Sequence, residues 1–434
     1  MSAYAWSARR PKAADVGRAG RDVAIGALAA AAVGLLVGKN PFYALLPVAA
    51  LFAIWLAVRP RAAAVALGIS IPAVQTIASG HVGLHIGLGD MLLLLLVLSA
   101  TGAAVLERNA AVFGALRAVR WPALQYCVFV LVLLFAHHPG FQPVGQTFQR
   151  YELIAFPLVV GSYLVLRGVH IRVLKAYLVA ATVVAVVFPF DSLGLQKNPA
   201  GQFVANAILL LVGVPRLSRY RILVPLLVYG VFATESRGAL LACAVGVVIL
   251  LAFRWMHSPR QAIATGLAIA AIAGLSFELL PSTAQSFVTT YGSQGKSHGA
   301  YNIRFRQEYQ RDALHIIRAH PWLGIGVGSY GAVVAADRLT PTDDPHNVLL
   351  LQAAEGGWVF AGSFILLILG TGYALVRLRR VELAPAAVAI LIATTTHGLV
   401  DEYWVRGTPV LSWLLAGMVC ALAWQSREGE AAAT

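Results

Sequence analysis

The sequence predicts an all-α polytopic membrane protein of about 12–14 transmembrane helices, each an apolar run of about 17 to 25 residues. Three observations predict it. The 434 residues are 59% hydrophobic and only 12% charged, where soluble domains carry about 25% charged residues. The apolar residues gather in fourteen candidate runs, some short enough that twelve spans is the alternative. The cations alternate with those runs, and that alternation fixes an orientation.

In chain order the runs are 22–37, 41–58, 62–79, 88–106, 122–137, 151–166, 171–189, 200–214, 222–234, 237–253, 262–280, 347–376, 384–400 and 408–424. Arg9, Arg10, Lys12, Arg18 and Arg21 precede the first. No small-residue cleavage site follows them, so a retained span is expected in place of a signal peptide. Counted from a cytoplasmic N-terminus, 22 of the 33 cations fall in cytoplasmic segments and five in short outer loops. Both termini are therefore expected to be cytoplasmic. The net charge of +14 is explained by this asymmetry, and nucleic acid is not called for as a partner. Cys127, Cys243 and Cys420 all lie inside apolar runs, which argues against a disulfide framework. The expected division is a scaffold of spans over 1–280, a long extracytoplasmic loop over 281–346, and the last three spans with a short cytoplasmic tail over 347–434.

The remaining six cations sit in that long outer loop, on the side where topology gives no reason for them. From Tyr301 to Ala319 the loop reads as an amphipathic helix. Phe305, Tyr309, Ala313 and Ile316 share one face, and Arg304, Glu308, Arg311, His315 and Arg318 share another. Such a face can be solvated or touch anionic lipid. Alternatively, one or two of its arginines bind phosphate, whose oxygens match the guanidinium fork. His320-Pro321 ends the helix, and Gly324, Gly326, Gly328 and Gly331 follow. These formally contain GxGxxG, but no strand precedes them, so the glycines are read as allowing a tight turn against other backbone.

Asp343, Asp344, Pro345, His346 and Asn347 then stand at the outer boundary of the next run. His346 is a structural histidine or a general base, since imidazole takes a proton near neutral pH. Asn347 holds that ring or caps the following helix. Glu355 lies about 13 Å into a hydrocarbon core about 30 Å thick if the crossing starts at Asn347. A carboxylate there needs a partner, as a structural ion pair or in catalysis. Elsewhere, Arg237 is another outer cation, paired with Glu235 or available to phosphate. Asn198, Gln202 and Asn206 form one polar stripe that must face other helices or a cavity. His397 with Asp401, and Arg150 with Glu152, rank below these as cleft-lining candidates. No metal-ligand spacing and no Walker motif is present.

ESRGALL at 235–241, KNPAGQFVAN at 197–206, RFRQEYQRDALHIIRAHPWLGIGVGSYG at 304–331 and PHNVLLLQAAEGG at 345–357 resemble, in order and spacing, the O-antigen ligase and polymerase superfamily of bacterial membrane glycosyltransferases. The resemblance covers roughly the second half of the chain. Asp344-Pro345 stands where that family often has a second histidine or another polar residue. The resemblance implies a polyprenyl-diphosphate-linked glycan donor, a lipid or cell-envelope glycan acceptor, and transfer on the extracytoplasmic side of the bacterial inner membrane, without metal, nucleotide or other cofactor. It implies diphosphate binding by Arg237 and by Arg304 or Arg306, and a key role for His346. Asn347, Glu355, Arg311 and Asn198 are the supporting candidates. Ligase and polymerase readings both remain open, and an anionic-solute transporter using the same arginines is the alternative of another class.

Overall fold

The structure, a computed structural model, describes residues 51–52, 55–56, 58–72, 76–79, 85–106, 111–137, 141–190, 196–280, 298–337, 344–401 and 407–433. Residues 1–63 cluster as one unit and residues 64–434 as another, and the second carries every candidate site residue.

The described residues are helical almost throughout. The helices are α1 (Pro60–Ser70), α2 (Leu88–Leu106), α3 (Ala111–Gly114), α4 (Arg120–Ala136), α5 (Phe141–Leu166), α6 (His170–Val187), α7 (Lys197–Gly213), α8 (Val224–Ala233), α9 (Arg237–Trp255), α10 (Pro259–Glu278), α11 (His298–Ala319), α12 (Tyr330–Asp337), α13 (Val348–Arg377), α14 (Ala384–Val400) and α15 (Val410–Ala433). Five segments are long and apolar enough to cross a membrane among the described residues: His170–Phe190, Arg237–Trp255, Pro259–Glu278, Val348–Arg377 and Val410–Glu428. The pair Ala111–Ala118 and Arg120–Ala136, bent by 99°, makes a sixth if it is one span. The protein is a multi-pass, all-α membrane protein. Its outward apolar side chains fit that setting: Val179 and Val183 on α6, and Leu366 and Leu369 on α13, stand exposed where a water-soluble surface would be polar.

Two of the expected spans take a different form, and two lie largely outside the described residues. The run expected at 62–79 breaks after Ser70. Pro72 cannot continue a helix, and the residues beyond it pair as a short antiparallel hairpin, Thr76–Ser79 with His85–Gly87. The run at 222–234 yields the ten residues of α8, about 15 Å of helix, which is half a hydrocarbon core. The runs at 22–37 and most of 41–58 lie outside the described residues.

Packing is set by small residues. α5 and α15 cross where Gly161 meets the backbone of Leu414 and Gly417 that of Leu158, so neither position has room for a methyl group. α7 is buried from Pro199 to Val212, with Gln202 and Asn206 as its buried polar residues. α9 packs on it through Gly246 against Leu209. The bundle thereby acquires two chemically distinct ends. At one end the N-termini of α7, α9 and α13 meet the C-terminus of α14. At the other, Arg254 donates to the Val212 carbonyl at 2.8 Å, and Arg216 pairs with Glu382 at 3.1 Å.

Candidate active site

The site is built at the first of these ends, around the start of α13. Asn347 caps that helix: its side-chain oxygen accepts the N–H groups of Leu349 and Leu350, both at 3.0 Å. This satisfies two of the donors that a helix start leaves unpaired. The Asn347 amide also donates to the Leu399 carbonyl at 2.9 Å, tying the start of α13 to the end of α14. Of the two roles left open for Asn347, the cap is the one observed.

One residue earlier, His346 has φ +56°. A left-handed backbone is costly for a residue with a Cβ, and here the Asp344 carboxylate holds it by accepting the His346 N–H at 2.6 Å. Among the described residues the other non-glycine residue with positive φ is Glu235, two residues before Arg237. Both strained positions therefore adjoin candidate site residues. The imidazole stacks on Tyr309 of α11 with ring centres 6.2 Å apart. Its Nδ1 lies 3.2 Å from the Asp401 carboxylate. A carboxylate only accepts, so this contact places the proton on Nδ1 and leaves the Nε2 lone pair for a substrate.

Asp401 is the centre of the cluster. Its second partner is Arg306, whose Nη2 donates to both carboxylate oxygens at 3.0 and 2.9 Å, while Nη1 donates to the Val400 carbonyl at 3.1 Å. Burial alone would raise the Asp401 carboxyl, but the His346 hydrogen bond and the Arg306 charge outweigh it and hold it below the usual carboxylate range. The carboxylate is 2% exposed and Arg306 34%, so the guanidinium keeps an open side. Of its five donors, at least two remain for a ligand.

Arg237 enters from α9. Ser236 caps that helix through the Ala239 N–H at 3.3 Å and itself donates to Asn198 at 2.9 Å. Gly238 packs directly on the His397 ring, where a methyl group would overlap it. His397 Nδ1 lies 2.8 Å from Gln202, and its ring is close enough to Asp401 and Arg306 to feel both charges. The polar stripe on α7 thus faces α9 and α14, and Arg237 stands one residue from the wall of the His346 cluster.

A second buried network braces this one. Glu355 pairs with Arg150 of α5, and its other oxygen accepts the Gly328 N–H at 2.9 Å. Arg150 also donates to Gln352 at 2.6 Å and lies 5.4 Å over the Phe360 ring. The glycine turn 320–328 is held against α13 at the same level. Ile325, Gly326 and Trp358 donate their N–H groups to the carbonyls of Ala354, Glu355 and Pro321. α13 breaks there, at Gly357, with φ +69°. Gly324 and Gly357 both face backbone too close to admit a side chain. The turn supplies hydrogen bonds to the backbone where the helix is broken. Asp344 connects the two networks, since its charge also acts on Arg150.

Residues 222–365 match the O-antigen ligase family. That stretch is similar to the O-antigen ligase family. The match covers about a third of the sequence and contains Arg237, Arg304, Arg306, His346, Asn347 and Glu355. The family is one of ligase-like, glycan-transferring membrane enzymes acting in cell-envelope polysaccharide biosynthesis. No curated protein matches the chain.

The matched stretch brings together Arg306, His346 and Asn347, with Arg237 on the adjoining helix start. Asn198 is drawn in through Ser236. Arg311 lies on the exposed face of α11, away from these contacts. Arg304 belongs to the first turns of α11, and its side chain lies outside the described residues, as do Asp343, Glu402 and Arg406. Sequence reasoning underrated Asp401 and Arg150, which pair with residues 95 and 205 positions away. The available signal was their placement: each is a charged residue at or near one end of an apolar run.

Proposed function

We propose that this protein transfers a glycan from a polyprenyl diphosphate carrier to an acceptor hydroxyl at the extracytoplasmic face of the bacterial cytoplasmic membrane. The observation that carries the reading is the Arg306–Asp401–His346 cluster: a base with a defined tautomer beside a cation with spare donors. Asp401 orients the imidazole and stabilises its protonated form. His346 Nε2 takes the proton of the acceptor hydroxyl as that oxygen attacks the anomeric carbon of the donor. The new carbon–oxygen bond forms as the bond to phosphate breaks, with inversion at that carbon. The electron pair leaves with the diphosphate, which departs as polyprenyl diphosphate. Arg306, with Arg237 and Arg304, takes up the negative charge that grows on those oxygens.

The orientation is supported by the opposite end of the bundle, where Arg216, Arg254, Arg377, Arg379 and Arg380 collect as the positive-inside rule places cytoplasmic cations. The test is product formation by purified protein given a polyprenyl-diphosphate glycan and candidate acceptors, with product masses read directly. A folded His346→Ala protein should lose about two to four orders of magnitude in rate. Transfer near the unsubstituted rate would remove His346 from its assigned role.

A further inference from the structure

At the end of the bundle opposite the candidate site, the last turn of α13, the first residues leading into α14, the last turns of α15 and the start of the 215–223 turn enclose a cavity of about 960 Å³. Arg216, Arg377, Arg379, Arg380 and Arg427 line it, with Glu382. Those six side chains carry a formal charge of +4. The single acid is already engaged: Glu382 accepts from the Arg216 guanidinium at 3.1 Å and from its backbone N–H at 3.2 Å. Leu378, Val381, Leu422 and Ala423 give the cavity an apolar side, and Gln425 adds a neutral donor.

Topology explains cations in the connecting segments, but it does not explain their convergence. Segments as far apart as Arg216 and Arg377 bring five guanidinium groups to one hollow, where a bound anion would relieve the repulsion that the Glu382 carboxylate leaves. The guanidinium fork matches phosphate oxygens in pairs. The hollow lies at the ends of membrane-spanning helices, with apolar side chains beside its cations. Basic pockets between spans on this side are built to hold anionic headgroups.

We propose that this cavity binds an anion presenting two phosphate groups, supplied by a phospholipid headgroup at that membrane face. The anion closes the α13–α14 connection against the end of α15. The site is separate from the O-antigen ligase chemistry, because α13 has its cap in one and its last residue in the other.

The test is thermal unfolding of the purified full chain in neutral detergent. It is titrated in separate arms with diphosphatidylglycerol, phosphatidylglycerol, phosphatidylcholine and inorganic pyrophosphate. Diphosphatidylglycerol should raise the midpoint, and half-saturation should need at least tenfold more lipid in the R379Q/R380Q/R427Q protein. It should be unchanged in Arg260→Gln, which removes an exposed arginine outside the cavity. Stabilisation by pyrophosphate to the same extent would assign the phosphate site to a soluble anion and overturn the lipid source. An equal response to phosphatidylcholine, or an equal loss in Arg260→Gln, would overturn the site itself. If the triple Gln protein does not fold, the corresponding triple Lys protein keeps the charge and loses the fork. Unchanged lipid response there would equally count against paired phosphate recognition.

Discussion

The two ends of the helix bundle use charge in opposite ways. At the candidate site every charge for which a partner is described is locked to a named group: Arg306 to Asp401, Arg150 to Glu355, Asp344 to the His346 backbone. The carboxylates are almost fully buried, at 2% and 3% exposure for Asp401 and Glu355. At the opposite end Arg216 and Glu382 pair while 59% and 25% exposed, beside four further arginines in the same cavity. Buried pairs fix geometry and are costly to break singly, whereas exposed ones are worth little. The first end is organised for positioning, the second for attracting something from outside.

That contrast can be broken by substitution, beginning with the largest effect. Asp401→Asn should lower the transfer rate by about two orders of magnitude or more, because an amide can donate to Nδ1 and reverse the tautomer that a general base needs. An unchanged rate with intact folding would reduce Asp401 to a packing role. Glu355→Gln should destabilise the protein by about 3–5 kcal/mol, since Arg150 would be left as a buried, unpaired charge. The matching change at the other end, Glu382→Gln, should cost under about 1 kcal/mol. Equal losses in denaturant unfolding would erase the distinction between the ends. Gly357→Ala should cost about 1–3 kcal/mol through its left-handed backbone and the Trp322 carbonyl beside it. Gly372→Ala, in the same helix with open space around it, should cost nothing measurable.

The smallest effect is one of pH. Because Asp401 is held below its ordinary range in the folded protein, its stabilisation is present above that range and is lost as pH falls through its folded value. The melting-temperature gap between the unsubstituted protein and Asp401→Asn should therefore be widest near neutrality. It should close as pH drops below about 4. A gap that stayed constant down to strong acid would show that the carboxylate's charge is not what matters.

How much of this was readable in advance follows the range of the interactions. α11, its end at His320-Pro321 and the Asn347 cap are local, and periodicity and cap chemistry announce them. Arg306 and His346 stood out because, in the orientation expected from the sequence, their loop carries cations without a topological reason. Gly324 was rightly read as a place of close backbone approach, although nothing in the sequence said that the approach was to α13, while Gly326 and Gly328 meet the side chains of His137 and Gln146. The partners of Asp401 and Arg150 are set by how distant helices dock, and one sequence does not encode that as a pattern. The hairpin after Ser70 was hidden because an apolar run looks the same whether it continues as helix or folds back. Pro72 was the sign against continuation.

The break at Gly357 also bears on where released protons go. Twenty residues of α13 follow it, and at about 1.5 Å each they already reach across a hydrocarbon core of about 30 Å. The nine before it, Glu355 among them, are surplus to the crossing and free to stand in the wet headgroup layer. A hydrogen ion lifted from an acceptor by His346 would then exchange directly with bulk solvent, so repeated turnover needs no relay through the lipid.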